Sequence, residues 1–375
     1  MRLLTIAVVV SALAVTLGCS TEADPAAAEV SAERLAAVQA DLEQVVGAGA
    51  VGAIATVTEN GRTVVLTSGV ADRDAKTWIP TDTPQHVRVG SISKTFAATV
   101  ILQLVAEGMI GLDDPVEKYL PGVLRGEGID GNRITVRQVL RHQSGLPNFT
   151  DDHPGYEYLL AQEGKTATPA ELMTLALSRP AEFEPGTSWA YSNTNYIIAG
   201  MLVEQVTGHS YTDELNRRIL EPLQLEGTYL PGPREYEIRA PHPKGYENLD
   251  GKLIDVSRIE PSAPWAAGAM VSTGADLNRF YLALVNGEVL AAAETAQMMN
   301  DPVPTGRREG QSYGIGLQTA DLPCGTRYFG HSGGIVGFHN LSAATTDGRA
   351  ITITITSSPD PAPDIVALLG NALCP

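Results

Sequence analysis

The sequence predicts an α+β protein in which an antiparallel sheet, packed by the N- and C-terminal helices, carries an inserted, mainly α-helical domain. Three observations predict it. Strand-like patterns lie towards both ends of the chain, amphipathic helical patterns flank them, and the middle consists of short helical pieces separated by proline and glycine. The predicted sheet domain comprises residues 31–110 and 247–375, and the predicted helical insert comprises residues 111–246.

The first residues predict export. Arg2 precedes a mostly apolar run over residues 3–17, which is short for a membrane span and typical of a signal peptide, here residues 1–18. A short N-terminal anchor helix is the alternative. Gly18-Cys19 resembles the cleavage and lipidation site of bacterial lipoproteins, so we expect a lipid on Cys19, with ordinary cleavage near residues 26–28 as the competing interpretation. Residues 19–30 are small and polar and predict a flexible tether. The expected location is therefore secreted or extracytoplasmic, with the lipid as the one membrane contact.

The sheet domain begins with clear local signals. Ser31 opens an amphipathic helix that runs to Val46. Two strands follow, over residues 53–58 and 63–68, and Asn60-Gly61 between them is a strong hairpin signal. A further helix begins near Ser91 and stops near Gly108.

The insert contains two well-defined helices, over residues 170–177 and 196–206, the second closed by Gly208. After Pro261 the strand-like pattern returns. Residues 351–356 alternate Ile and Thr, which predicts a strand with one buried face. A last helix spans residues 364–373.

Composition excludes one class of function. The chain carries 26 Lys and Arg against 43 Asp and Glu, a net charge of −17, whereas nucleic-acid binding needs a basic face. The sequence has no His-x-x-x-His pair and no cysteine cluster, so we expect neither a metal nor another cofactor.

Ser91 and Lys94 form the first candidate site. They stand three residues apart where a helix begins, so both lie on one face of it, and a desolvated lysine can act as a base near neutral pH. The chain has six lysines, and Lys94 alone has a serine three residues before it. The alternative is an N-cap serine followed by an exposed lysine.

The second candidate is Tyr191-Ser192-Asn193, in which a phenol can relay a proton and an amide can hold a substrate carbonyl. Tyr246-Glu247-Asn248 has the same spacing but lies among prolines in a polar loop. Tyr191 instead precedes an apolar helix and is favoured, with a buried core tyrosine as the alternative.

The third candidate is His331-Ser332-Gly333-Gly334. A cation or hydrogen-bond donor followed by small residues lets a substrate backbone lie beside an edge strand, although a plain glycine turn is the alternative. The same segment matches the Gly-x-Ser-x-Gly elbow of α/β-hydrolases. We reject that interpretation because a strand follows and no acid lies between Ser332 and His339.

In this order the three motifs resemble the serine D-alanyl-D-alanine carboxypeptidase and class C β-lactamase superfamily, and most closely secreted actinobacterial DD-peptidases. The resemblance extends to residues 136–146, 191–196 and 268–276. It implies that Ser91 is acylated and that Lys94 and Tyr191 share the proton transfers. It also implies that Asn193 holds the substrate's amide, and that the backbone N–H groups of Ser91 and Gly334 form the oxyanion hole.

Further roles implied by the resemblance concern the rest of the cleft. His331, in place of the usual lysine, would support Tyr191 or the acidic end of the substrate. Trp265 would form an aromatic wall, with a core tryptophan as the alternative. If Cys19 carries lipid, Cys324 and Cys374 remain as a pair that can form a disulfide, as matching cysteines do in these relatives, or stay as two buried thiols.

The expected function is that of a secreted serine hydrolase, in the first place a D-alanyl-D-alanine carboxypeptidase-like peptidase. An esterase, an amidase, a β-lactamase and a non-catalytic binding module are the alternatives. The expected partners are a small peptide, ester or β-lactam, including peptidoglycan stem peptides. The positions at which these relatives hold a substrate carboxylate with Arg and Thr are occupied by Gln318 and Gly334, so we expect weak activity on free carboxylates unless Arg327 substitutes.

Overall fold

The computed structural model describes residues 29–374. The predicted signal peptide, the predicted lipid on Cys19 and all but the last two residues of the tether lie outside the described residues. The fold class predicted from the sequence is confirmed: the protein is α+β and is built on an antiparallel sheet.

Fifteen strands and eleven α-helices occur within residues 29–374. The strands are β1 Gly52–Glu59, β2 Arg62–Asp72, β3 Thr77–Trp78, β4 Val87–Arg88, β5 Arg125–Gly126, β6 Ile129–Asp130, β7 Tyr246–Leu249, β8 Lys252–Asp255, β9 Val271–Ser272, β10 Val303–Pro304, β11 Ser312–Tyr313, β12 Gln318–Asp321, β13 Arg327–Ile335, β14 Phe338–Ala344 and β15 Arg349–Ile355. The helices are α1 Ala32–Gly47, α2 Ser93–Ala106, α3 Val136–Leu140, α4 Tyr156–Glu163, α5 Pro169–Leu177, α6 Thr194–Thr207, α7 Tyr211–Leu215, α8 Trp265–Gly268, α9 Gly274–Val285, α10 Ala292–Met299 and α11 Ile365–Leu373.

The main sheet has nine antiparallel strands in the order β10-β11-β12-β13-β14-β15-β1-β2-β3. The turn between β1 and β2 has positive φ at both Asn60 and Gly61, as a two-residue hairpin turn requires. The sequence analysis placed the return to the sheet domain at residue 247. The described strand that first rejoins the main sheet is β10, because residues 246–255 form a separate hairpin.

Helices cover both faces of the sheet. On one face α1 and α11 pack together and bury an apolar cluster that includes Val38, Leu42 and Leu369. On the other face α9 crosses β1, β14 and β15. Helix α9 lies in the region after Pro261 for which the sequence predicts strands.

The predicted half-buried strand over residues 351–356 is wrong in one respect, since β15 is buried on both faces. Its threonines face α9 and β14 and satisfy their hydroxyls within the protein. Thr352 donates to Asn278 and contacts Ser342, and Thr354 donates to Asn340. Buried hydroxyls that are hydrogen-bonded in this way cost little, so alternating Ile and Thr can fill a two-sided core.

Helix α2 forms the centre of the helical region. It packs against α6, α7, α8 and α10 and is buried on nearly every side, which explains its mostly apolar sequence. Its N-terminus meets β13 through the short 3₁₀ turn Gly90–Ile92. Within residues 29–374 no helix combines the length and the apolar character that crossing a membrane requires.

Candidate active site

The nucleophile candidate Ser91 lies in the 3₁₀ turn Gly90–Ile92, directly before α2. Gly90 has φ +55°, and a Cβ there would lie 2.8 Å from the carbonyl oxygen of Gly334. Glycine at this position therefore lets the turn approach the edge of β13. The Ser93 hydroxyl holds the turn by donating to the Gly90 carbonyl (2.7 Å) and accepting the Met270 N–H (3.2 Å).

Lys94 is fully buried one turn further along, and its Nζ contacts three oxygen atoms. These are the Ser91 hydroxyl at 3.0 Å, the Asn193 side-chain carbonyl at 2.7 Å and the Ala267 backbone carbonyl at 2.6 Å. Burial lowers the pKa of Lys94 well below its ordinary value. A neutral amine has two N–H donors and one lone pair. The two carbonyls take the donors, so the lone pair is left for the Ser91 hydroxyl, as a base requires.

The side chain of Tyr191 reaches Ser91 as well, since the two hydroxyls are hydrogen-bonded. Its ring also lies beside Lys94, with Nζ 5.0 Å from the ring centroid. Burial raises the pKa of the Tyr191 phenol far above its ordinary value, so the phenol stays protonated. Ser91, Lys94 and Tyr191 are thus brought together as one unit that can take a proton from the nucleophile and give one to a leaving group.

Residues 142–150 hold the Tyr191 segment in place. The buried His142 ring accepts the Ser192 N–H (3.2 Å) and contacts the Asn195 amide (3.1 Å) through its Nδ1. The Ser144 hydroxyl donates to the side-chain oxygen of the same Asn195 amide (2.6 Å). Burial, and then repulsion from Lys94 when that amine is protonated, lower the pKa of His142 well below its ordinary value. Residues 142–146 were predicted only as part of a resemblance, and the structure gives them a positioning role.

Asn193 lies where the resemblance implies, on the wall of the cavity beside Ser91. Its side-chain oxygen accepts from Lys94, and its side-chain nitrogen donates to the Thr150 hydroxyl (3.0 Å). Its backbone N–H donates to Asn148 (2.9 Å). Asn148 and Thr150 have no motif of their own, so the sequence did not predict their contacts with Asn193.

His331 is buried, which corrects one of its two predicted roles, the binding of the substrate's acidic end; the other, the support of Tyr191, stays a prediction. Its Nδ1 lies 2.5 Å from the Ser332 carbonyl, an acceptor, so Nδ1 donates there. Its Nε2 then accepts from the Tyr313 hydroxyl, at 2.9 Å. Burial, together with repulsion from Lys94 when that amine is protonated, lowers the pKa of His331 to about 3. Both ring nitrogens are engaged within the protein, and 1% of the residue is exposed.

Ser332 and Gln318, both assigned to substrate binding, hold each other across β12 and β13. The Gln318 side-chain oxygen accepts the Ser332 N–H at 3.1 Å and lies 3.2 Å from its hydroxyl. Arg327, the candidate substitute cation, donates twice to Asp321 and is therefore already paired. Gly334 lines the same cavity as Ser91, so the two residues whose N–H groups were assigned to the oxyanion hole lie together.

Trp265 does not line the cavity, and this corrects the predicted aromatic wall. Its ring packs on Gly200, where a Cβ would meet it at 2.7 Å, and on the edge of Tyr211. Pro264, directly before α8, and Ala267, within α8, line the cavity instead. The short α8 turn directs the indole towards α6, a direction that local sequence does not encode.

A cavity of about 170 Å³ opens beside Ser91. Among its lining residues, Glu157 of α4 is the one charged side chain that the structure describes there. Burial raises the pKa of the Glu157 carboxyl. Hydrogen bonds from its own backbone N–H and that of Val336, and the charge of Arg88, oppose the rise. A single glutamate in a helix carries no sequence signal, and the sequence analysis missed it. The other residues that line the cavity with Ser91 and Glu157 are Phe149, Thr150, Gly155, Asn193, Ala263, Pro264, Ala267, Gly268, Gly334 and Ile335.

Cys324 and Cys374 form a disulfide that joins the turn before β13 to the end of α11. It lies by the apolar cluster under α1 and α11, across the sheet from Ser91. In the described part of the chain, no group of three or more His, Cys, Asp or Glu side chains is arranged to hold a metal ion.

Comparison with known proteins places this arrangement among related enzymes. The family model described as Beta-lactamase matches residues 37–372. Penicillin-binding protein 4* of Bacillus subtilis (strain 168) is 26% identical over 295 residues, which cover 74% of this chain and 62% of that protein. The chain thus spans less than two thirds of that relative's length.

Two solved structures share the whole fold. A D-stereospecific amidohydrolase from Streptomyces sp. is 38% identical, with a TM-score of 0.83, over 90% of this chain and 98% of its own. The D-amino acid amidase from Ochrobactrum anthropi SV3, complexed with L-phenylalanine amide, is 27% identical, with a TM-score of 0.76, over the same shares of the two chains.

Proposed function

The chain belongs to the beta-lactamase family of serine hydrolases, and from that premise we propose that it hydrolyses amide or ester derivatives of D-amino acids whose amino group is free. The named activities of the two structural neighbours, a D-stereospecific amidohydrolase and a D-amino acid amidase, support this choice over a D-alanyl-D-alanine carboxypeptidase. The engagement of Gln318 by Ser332 supports it too, because Gln318 is neutral and occupied and cannot hold a carboxylate as the residue at this position does in DD-peptidases, so a carboxylate would need another cation.

In the proposed reaction the neutral amine of Lys94 takes the proton of the Ser91 hydroxyl as Ser91 Oγ attacks the substrate carbonyl. The N–H groups of Ser91 and Gly334 stabilise the oxyanion. As the bond to the leaving nitrogen breaks, Tyr191 donates its phenolic proton to that nitrogen, and Lys94 returns a proton to Tyr191. Water then attacks the acyl-enzyme, loses a proton to Lys94 and releases the acid, and that proton restores the Ser91 hydroxyl.

The position of Glu157 in the cavity beside Ser91 is the observation that supports this class of substrate. A carboxylate in a confined cavity next to the nucleophile is costly unless a cation pairs with it. The ammonium group of an amino-acid derivative supplies that cation, since the α-amino group is one bond from the carbon that bears the attacked carbonyl. Arg88 is fully buried and influences the carboxyl by its charge, so it helps to keep Glu157 ionised before substrate arrives.

The test compares D-phenylalanine amide with its N-acetyl derivative in Glu157→Gln. Loss of a charge-assisted hydrogen bond of about 1.5–3 kcal/mol should lower kcat/KM for the free amine roughly 10- to 100-fold. The N-acetyl substrate, which has no ammonium group, should not share this loss. Glu163→Gln is the matched control, because Glu163 lies at the end of the same helix and pairs with Lys165 at the surface.

Two results would contradict the proposal. Equal losses on both substrates in Glu157→Gln would show that Glu157 supports the fold or the chemistry and not the ammonium. Turnover that persists in Ser91→Ala would exclude a mechanism through an acyl-enzyme on Ser91. Intact-mass analysis after incubation with a β-lactam gives a second readout, since a one-to-one adduct should form on the wild type and be absent from Ser91→Ala.

We also propose that the protein acts outside the cytoplasm and that Cys19 carries a lipid. The support is the Arg2 start, the short apolar run and Gly18-Cys19. Mass spectrometry of the mature N-terminus tests both parts. A lipid-bearing Cys19 is expected, whereas an unmodified N-terminus near residue 29 would contradict lipidation and leave export standing.

A further inference from the structure

The loop between β10 and β11 lies over the ring of Tyr191. A hydrogen bond from the Thr305 N–H to the Gln311 carbonyl (3.1 Å) closes its base. The Arg307 guanidinium lies 5.0 Å from the ring centroid of Tyr191 and 5.3 Å from that of Trp189. The loop therefore places a cation against Tyr191, whose hydroxyl is hydrogen-bonded to Ser91.

Arg307 differs from the other arginines around the cleft in its lack of a partner. Arg327 is bound to Asp321, and Arg88 donates to two backbone carbonyls. Within residues 29–374 the Arg307 guanidinium forms no ion pair and no hydrogen bond, although acidic residues outnumber basic ones by 43 to 26. A guanidinium stacked on aromatic faces keeps its N–H edge free, and that edge matches a carboxylate in a bidentate pair.

The position of Arg307 relative to the cavity indicates which part of a substrate it meets. The cavity that holds Glu157 and Asn193 adjoins Ser91 and is where an acyl group would lie, and Arg307 does not line it. The leaving group must instead pass Tyr191, because Tyr191 protonates the leaving nitrogen. The ring of that same tyrosine is the surface on which Arg307 is stacked.

We propose that Arg307 binds the carboxylate of an amino-acid leaving group. The preferred substrates are then short peptides with a D-residue at a free N-terminus and a free carboxylate next to the cleaved bond, rather than simple amides. This inference rests on the proposed function, and it assigns to a loop residue the role that the resemblance places at Gln318. It also replaces the expectation from the sequence that free carboxylates are poor substrates.

The test measures release of D-phenylalanine from D-phenylalanyl-glycine and from D-phenylalanyl-glycinamide. The wild type should prefer the acid, and Arg307→Gln should lower the acid-to-amide ratio of kcat/KM about tenfold or more, the effect of one charged hydrogen bond. Arg307→Lys should keep part of the ratio. Added salt should reduce the wild-type ratio, because an exposed ion pair is screened.

Arg308→Gln is the matched control. Arg308 is the next residue of the loop but lines a different cavity, beside His339, so the same change of charge there should leave the ratio at its wild-type value. A ratio that is unchanged in Arg307→Gln, or parallel losses on both substrates, would overturn the inference, since Arg307 would then act through Tyr191 alone.

Failure of this inference and failure of the proposed function are distinguishable. If hydrolysis of D-phenylalanine amide depends on Glu157 while the acid-to-amide ratio of kcat/KM is the same in the wild type and in Arg307→Gln, only the role of Arg307 in binding the leaving group is wrong. If the wild type hydrolyses neither the amide nor either peptide, the proposed function falls and this inference falls with it.

Discussion

Gly333→Ala should disable the active site although Gly333 carries no reacting group. A Cβ at Gly333 would lie 1.9 Å from the carbonyl oxygen of Val89, two residues before Ser91. A carbon atom approaches a carbonyl oxygen to about 3.3 Å, so either β13 or the nucleophile turn must move by about 1.4 Å. A misplacement of about 1 Å in a catalytic group can cost on the order of 100-fold in rate. We therefore expect acylation to slow by at least that factor.

The assay is the pre-steady-state acylation rate with a chromogenic ester, with the burst amplitude counting correctly folded sites. Overpacking of this kind should also cost about 1–3 kcal/mol in the free energy of unfolding, measured in urea. Gly334→Ala is the comparison. A Cβ at Gly334 meets no atom within 4 Å, and alanine keeps the backbone N–H, so a much smaller effect is expected. Acylation of Gly333→Ala at the wild-type rate would refute the argument that close contact between β13 and the nucleophile turn positions Ser91.

Three further predictions follow from the same structure. Removal of the disulfide in the double variant Cys324→Ser with Cys374→Ser should lower the free energy of unfolding by about 4 kcal/mol, because the bridged residues are 50 positions apart. Acylation should be unaffected, because the bridge lies across the sheet from Ser91. Similar urea midpoints for the wild type and the double variant would contradict this. The acylation rate should rise with pH through the lowered pKa of Lys94, because only the free amine accepts the Ser91 proton. The acylation rate of Lys94→Arg should not show this rise. A wild-type rate that falls with pH would exclude Lys94 as the base. The pKa of His331 is about 3 in the folded state against an ordinary 6.5. Since only the unfolded chain binds this proton between those values, the free energy of unfolding should decrease as pH falls through that window. His331→Gln should flatten that dependence, as urea midpoints measured across the window would show.

Much of the site could be predicted from the sequence because the chemistry of acyl transfer needs particular residues at short spacings. Ser91 and Lys94 lie one helical turn apart where α2 begins, so their contact follows from three residues of separation. The hairpin at Asn60-Gly61 and the cap at Ser31 are local in the same sense, since the backbone of a few residues decides them. The order of the three motifs, each weak alone, indicated the family.

Burial and protonation could not be predicted, because both depend on neighbours that are distant in the sequence. The Ile-Thr alternation of β15 looks half-exposed until α9 covers it. His331 looks like a cation until burial and Lys94 lower its pKa. The direction of the Trp265 indole depends on the turn at α8 and on the space that Gly200 leaves for it.

The sequence by itself therefore determined the class of fold and the choice of Ser91, Lys94 and Tyr191 as candidate reacting groups, because helix periodicity, turn chemistry and motif spacing act over a few residues. Only the tertiary structure decided what surrounds them. Glu157 on α4 and Arg307 on the β10–β11 loop are single charged residues without a motif. Their proposed roles in substrate selection depend on the packing of α4, which brings Glu157 to the cavity beside Ser91, and on the loop, which brings Arg307 to the ring of Tyr191. Electrostatic attraction over a few ångströms can then distinguish one substrate from another.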